Sequence, residues 1–185
     1  MRHPWMCLVV LLLLLCGCDL DRGPVLRAGN GSRMDMKEAA YRADAMLDGT
    51  LAVVKPRVSW SHGETTVGIC DVTRRRAVMT EISEYRRGSF LGVVDRHWRR
   101  SGYAIKSVNP SKEFPAIYAQ SPDGFGISLS VGGHGQIFFE VDSPCVDESA
   151  VPEPRTPANG PDYRGGPVPW PDVRDDFWSS SAADL

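Results

Sequence analysis

A chain of 185 residues, 42% hydrophobic and 24% charged, is long enough for one domain with a real core and short for two. The formal net charge is -2, but eight acids against three arginines from Val146 to Leu185 put that segment at -5 and everything before it at +3. Neither value gives the concentrated basic face that a nucleic-acid-binding protein needs, so nucleic acid is not an expected partner.

The chain begins with Arg2 and His3 ahead of an apolar run from Trp5 to Cys16, short against the roughly 20 apolar residues of a bilayer span. Residues 1–17 therefore read as a signal peptide. Leu15-Cys16-Gly17-Cys18 resembles the lipobox of bacterial lipoprotein precursors, in which a cysteine is lipidated and becomes the first mature residue. Cys18, with Gly17 before it and Leu15 three positions back, is the lipidation site that the resemblance implies; Cys16 stands where a small residue is usual. Two or three palmitate-type chains, at ~0.8 kcal/mol per buried methylene, hold a protein on a membrane far better than one. The expected address is the extracytoplasmic face of the cell membrane, with the membrane as a partner through the lipid anchor. An ordinary cleaved secretory signal or a signal anchor is the other reading.

Setting aside Cys7, Cys16 and Cys18 leaves Cys70 and Cys145, an even pair in a compartment that permits disulfides. A bond between them is expected, worth ~4.5 kcal/mol on the chain-entropy model. Neither cysteine has a second cysteine or a histidine at ligand spacing, so no metal site is expected.

Residues 18–33, rich in Gly, Asp and Arg, read as a flexible tether, and the domain proper as residues 34–145. Met36, Ala39, Ala40, Ala43, Met46 and Leu47 share one helical face, with Asp35 or Ser32 as cap and Gly49 as terminator. Three strands are predicted next, over Leu51 to Trp60, Thr65 to Val72 and Arg76 to Tyr85, with a tight turn at Thr73 to Arg75. Arg74-Arg75-Arg76 and Arg86-Arg87 read as a solvated hairpin end, or as a patch for anionic headgroups.

A second helix is predicted from Ser89 to Ser101, with Phe90, Val93, Val94, His97 and Trp98 on one stripe and Gly102 at its end. Trp98 and Tyr103 either line an aromatic pocket or anchor the helix on the sheet. His97 is an acid–base candidate, or a part-buried histidine satisfied by one hydrogen bond. Four strands follow, over Tyr103 to Val108, Pro115 to Ser121, Phe125 to Val131 and Gln136 to Val141, with Ser121-Pro122-Asp123-Gly124 and Gly132-Gly133-His134-Gly135 as turns. The fold class is α+β: two helices on a mainly antiparallel sheet, in the order helix, three strands, helix, four strands. The cysteine bond would staple the final strand to the second.

From Val146 to Leu185 the chain holds seven of the 14 prolines, with Gly and acids interspersed. Composition predicts a segment too poor in apolar surface to order itself. Trp170, Phe177 and Trp178, set among acids, read as a short interaction motif or a segment laid on the domain.

From Ala43 to Trp178 the chain resembles a family of actinobacterial secreted lipoproteins of uncharacterised function. The resemblance rests on Trp60-Ser61-His62-Gly63, on Trp98 with Ser101-Gly102-Tyr103, on Ser121-Pro122-Asp123-Gly124-Phe125, on Ser143-Pro144-Cys145 and on Asp176-Phe177-Trp178-Ser179. It implies the address and the fold, and carries no activity with it.

No G-x-S-x-G elbow, phosphate loop or dinucleotide fingerprint is present, so no cofactor is expected. Asp95, Glu113, Asp123 and Glu140 could supply paired carboxylates, but no spacing selects a pair. The expectation is a binding module that takes a partner protein or a small apolar ligand between helices and sheet, with Trp98, Tyr103, His134 and Trp178 as candidate binding residues. The alternative is a cell-envelope hydrolase using His62 or His134.

Overall fold

A computed structural model of the chain describes residues 33–160, 167 and 169–184, which lie within the compact unit Arg33–Leu185. The expected signal peptide, Cys18 and nearly all of the expected tether lie outside the described residues. The fold class is α+β as expected: helix, three strands, helix and four strands, with every strand pairing antiparallel.

The first helix, α1 (Met36–Ala52), starts where Asp35 accepts the Glu38 backbone N–H at 2.8 Å. It does not stop at Gly49. Thr50 and Leu51 are buried, and Thr50 Oγ1 both donates to the Met46 carbonyl and accepts the Trp98 indole N–H. That packing outweighs the ~1 kcal/mol that a mid-helix glycine costs.

The strand expected over Leu51 to Trp60 is therefore the end of α1 and a loop, leaving β1 (Trp60–His62). After β2 (Thr66–Val67), β3 (Val72–Val78) runs straight through the expected turn at Thr73 to Arg75. The chain leaves the sheet at Val78, and Ser83, not Ser89, caps α2 (Glu84–Arg100) by accepting the Arg86 N–H. The later strands fall as predicted: β4 (Ala104–Asn109), β5 (Ala116–Gln120), β6 (Gly126–Val131) and β7 (Ile137–Asp142).

The sheet order is β1-β3-β7-β6-β5-β4, with β2 on β3. Helix α1 lies against β3 and β7, and α2 against β4 and β5. Between the layers, Met36, Ala40 and Leu47 of α1 and Phe90, Val94 and Trp98 of α2 meet Leu129, Ile137, Phe139 and Val141 of the sheet. Strand β4 is an edge, and its register shifts between Ile105 and Ser107, a bulge that leaves Lys106 without a strand partner.

Pleating puts Arg74 and Arg76 on the helix-covered face and Arg75 on the other. Arg74 and Arg76 are 2% and 1% exposed, which overturns both readings for these two arginines. They are stabilised there by acids of α1 one turn apart: Asp44 Oδ1 lies 3.5 Å from Arg74 Nε, and Asp48 Oδ1 lies 2.6 Å from Arg76 Nη2. Arg75 pairs with Glu140 on the far face.

Cys70 and Cys145 form a disulfide, linking the approach to β3 with the exit from β7. Since β3 and β7 are already neighbours, the bond reinforces that pairing.

The segment after Val146 is ordered on the domain wherever it is described, against the compositional expectation. Met36 N–H donates to Asp147 O, Glu81 N–H to Val173 O and Ser83 N–H to Trp178 O. Val146 and Trp178 join the core cluster. The composition argument treats a segment as if it had to bury its own apolar surface. This one uses the domain's surface and the domain's unpaired backbone groups instead.

Candidate functional site

The residues singled out in the sequence do not converge on one place. Trp98 is fully buried, with its indole N–H donating to Thr50 Oγ1 at 3.0 Å, so it is a core anchor and has no face to offer a ligand. Trp178 is 1% exposed, edge-on to Phe90 at 5.4 Å, and its indole N–H donates to the Pro56 carbonyl. Tyr103 is half-buried, and burial pushes its hydroxyl up while nearby Arg42 opposes that. Arg42 itself pairs with Asp123 at 2.8 Å and holds that carboxyl below its ordinary range.

The histidines separate likewise. His62 is half-buried in β1, and its Nε2–H donates to the Thr156 carbonyl at 2.9 Å, which leaves Nδ1 as the acceptor of the neutral ring. Burial, helped by Arg76, pushes His62 below the usual histidine value, although the bond to Thr156 opposes the shift. His97 is also lowered, by burial first and Arg100 second. Among the described residues, no hydroxyl or carboxylate is hydrogen-bonded to either His62 or His134, and no group of three or more His, Cys, Asp or Glu side chains could hold a metal. Of the four carboxylates considered for paired chemistry, Asp95 pairs with Arg99, Asp123 with Arg42 and Glu140 with Arg75.

What the fold does assemble is an exposed aromatic end, beside the β6–β7 turn and the start of α2. Gly132 N–H donates to the Gln136 carbonyl, and Gln136 N–H returns to Gly133 O. Closing so tight a turn places His134 at φ 54°, left-handed backbone that costs a residue with a Cβ ~1–2 kcal/mol. Its ring is thereby turned outward and stacks on Trp170, with centroids 3.8 Å apart and planes 30° from parallel.

Trp170 is 60% exposed but fixed on both sides. Before it, Pro169 O accepts Gln136 Nε2–H; after it, Asp172 and Val173 N–H both donate to Met79 O. Two clefts of about 350 Å³ each share His134 and Gly135. One adds Glu84, Arg87, Lys112 and Phe114, the other Glu81, Ser83, Trp170 and Ser179. Nearby, the Arg86 guanidinium lies 4.1 Å over Phe177 and 5.1 Å over Tyr85, while its Nε–H is shared between Phe177 O and Ser180 Oγ.

Sequence reasoning singled out His134 and Trp170 but not their contact; it noted Arg86 only as part of a basic run, and it missed Phe114. A single non-glycine residue inside a Gly-Gly-x-Gly turn was the available signal for an outward-facing side chain. Nothing local in the sequence links position 134 to position 170.

Compared with known proteins, the chain matches no family model and no curated protein. Among solved structures it is similar to a DUF4853 family protein from Actinomyces odontolyticus ATCC 17982, at 12% identity and a TM-score of 0.39, over 69% of this chain and 77% of that one.

Proposed function

We propose that the protein is a lipid-anchored binding module on the extracytoplasmic face of the cell membrane, and that it engages a partner protein through the aromatic end around His134 and Trp170. The observation that carries this reading is Trp170, a large apolar ring 60% exposed yet held by a histidine stack and backbone hydrogen bonds. Exposed aromatics pre-set in one orientation lose little entropy on binding, and Trp, Tyr and Arg dominate interface energetics. Tyr85 and Arg86 extend the surface with those residue types, and Phe177 adds a further aromatic ring under the Arg86 guanidinium. A ligand between helices and sheet is less well supported, because Trp98, Phe90 and Phe139 fill that space. The anchor reading rests on the lipobox resemblance at Cys18.

The interaction is tested by placing a photo-crosslinking benzoylphenylalanine at Phe114 in cells. A discrete adduct is expected, lost on Trp170→Ala with Phe177→Ala while the melting temperature stays within a few degrees. Equal adducts with and without the two aromatics would overturn the reading. The anchor is tested by intact mass of membrane-released protein: a diacylglyceryl group on a chain starting at Cys18 supports it, and an unmodified chain in the medium refutes it.

A further inference from the structure

A different part of the molecule carries its own signs of a ligand. A cleft of about 340 Å³ opens between the last turn of α1, the approach to β1 and residues 156–159. Leu51, Val58 and Pro157 give it apolar walls, while Arg57, Arg76 and Asp48 supply its charges.

Arg76 is the unusual member. Its side chain is 1% exposed, its guanidinium carbon sits 4.0 Å over the Trp60 ring, and Nη2 pairs with Asp48. Its Nε and Nη1 have no hydrogen-bond partner among the described residues. Buried donors of a charged group are costly to leave open, and protein interiors rarely do so without a ligand or water to satisfy them.

Asp48 does not fully answer this charge. More than a third of its side chain is exposed, and its other oxygen accepts from Thr156 Oγ1 at 2.6 Å. Arg57 at the mouth is exposed and has no ion-pair partner among the described residues. Deeper in, Arg74 and Asp44 face each other and add no net charge. The cleft thus has two guanidinium groups against one carboxylate. One surplus positive charge between apolar walls selects one negative charge on an apolar body, whereas a dianion would bring its second charge toward Asp48.

The geometry points to a binding site for a small monocarboxylate with a compact apolar body, its carboxylate held by Arg76 and Arg57 and its body against Leu51, Val58 and Pro157. Residues 156–159 act as the strap over it. Asn159 Oδ1 accepts the Trp60 N–H and its amide donates to Val58 O, while Thr156 bonds Asp48 and His62. Entry requires these few contacts to loosen, since the open nitrogens of Arg76 are covered.

The test is titration of the purified full chain with benzoate and with its neutral isostere benzamide, followed by NMR of the Trp60 indole and arginine Nε–H signals. Saturable shifts with benzoate at sub-millimolar to millimolar concentration, and at least tenfold weaker binding of benzamide, are the expected result. Arg57→Gln should weaken benzoate several-fold. Arg76→Gln should weaken it at least tenfold. Because Arg76→Gln disturbs a buried ion pair, Ala52→Trp provides a second arm: position 52 is exposed on the rim of the cleft, and the indole should block benzoate without touching either arginine. Absence of saturable shifts, equal binding of the amide, or unchanged binding in folded Arg76→Gln or Ala52→Trp would overturn the site.

Discussion

Replacing Trp178 by alanine is the sharpest test of how the C-terminal segment belongs to the domain. Trp178 lies 142 positions after the start of α1, is 1% exposed, and touches Phe90 of α2 and the Pro56 carbonyl. A buried tryptophan removes up to ~250 Å² from water, which at ~25 cal/mol per Å² sets a ceiling near ~6 kcal/mol. Measured losses for Phe or Trp to Ala in cores run at ~3–5 kcal/mol. The loss cannot exceed the free energy that docks the segment, because beyond that point the segment releases while the sheet and helices stay folded. The expected result is ~3–4 kcal/mol in urea denaturation followed by circular dichroism. Trp178→Phe keeps most of the packing and loses the indole hydrogen bond, so ~1 kcal/mol is expected there. Trp170→Ala, at an exposed position, should stay within ~0.5 kcal/mol. A Trp178→Ala loss no larger than that of Trp170→Ala would refute the assignment of Trp178 to the core.

Two further outcomes follow from the buried charges and from His62. Arg74→Ala strands the Asp44 carboxylate in the interior and should cost ~3–5 kcal/mol, whereas Arg74→Met with Asp44→Leu removes both charges and should cost less than half as much; equal losses in urea denaturation would show that the pair is not electrostatically coupled. Burial lowers His62, so the fold favours its neutral form: its contribution is complete above the ordinary histidine value near ~6.5 and is lost as pH falls through the lower folded value. His97 acts in the same direction and Asp44, raised by burial, in the opposite one, but both are present in a His62→Gln variant. The slope of melting temperature against pH below ~6.5 should therefore be shallower in His62→Gln than in the parent, and an identical slope would refute the shift.

The features legible in the sequence were those set by near neighbours. Alternation over β4 to β7 has a period of two whatever packs on it, and Ser121-Pro122-Asp123-Gly124 needs only Gly124 at φ 89° and the hydroxyl of Ser121, which accepts the Phe125 N–H. What was missed depended on distant partners. A run of three arginines reads as solvated until Asp44 and Asp48, one turn apart on a helix some 30 residues earlier, are placed over the strand. Asp44 lies next to Ala43 of the apolar stripe, so a buried acid there was the clue to a buried base elsewhere. The start of α2 was misplaced because Thr80 and Ile82 continue the alternation of β3, while the backbone there pairs instead with Val173 and Trp178 from far along the chain. The aromatic end was half legible. His134 and Trp170 each stood out, but their stacking is a product of the tertiary path between Gln136 and Met79.

The two margins of the sheet have one further consequence. At β1 the Trp60 N–H and carbonyl are taken by Asn159 and Gly160, so at that residue the edge offers no backbone ladder to a newcomer. At β4 the bulge at Lys106 breaks the spacing of the outward-facing groups and sets an exposed lysine in the edge strand. A seven-stranded sheet with two regular open margins would be a template for filament growth, copy upon copy. Here the β1 edge is occupied at Trp60 and the β4 margin is irregular, and both features work against strand-on-strand addition.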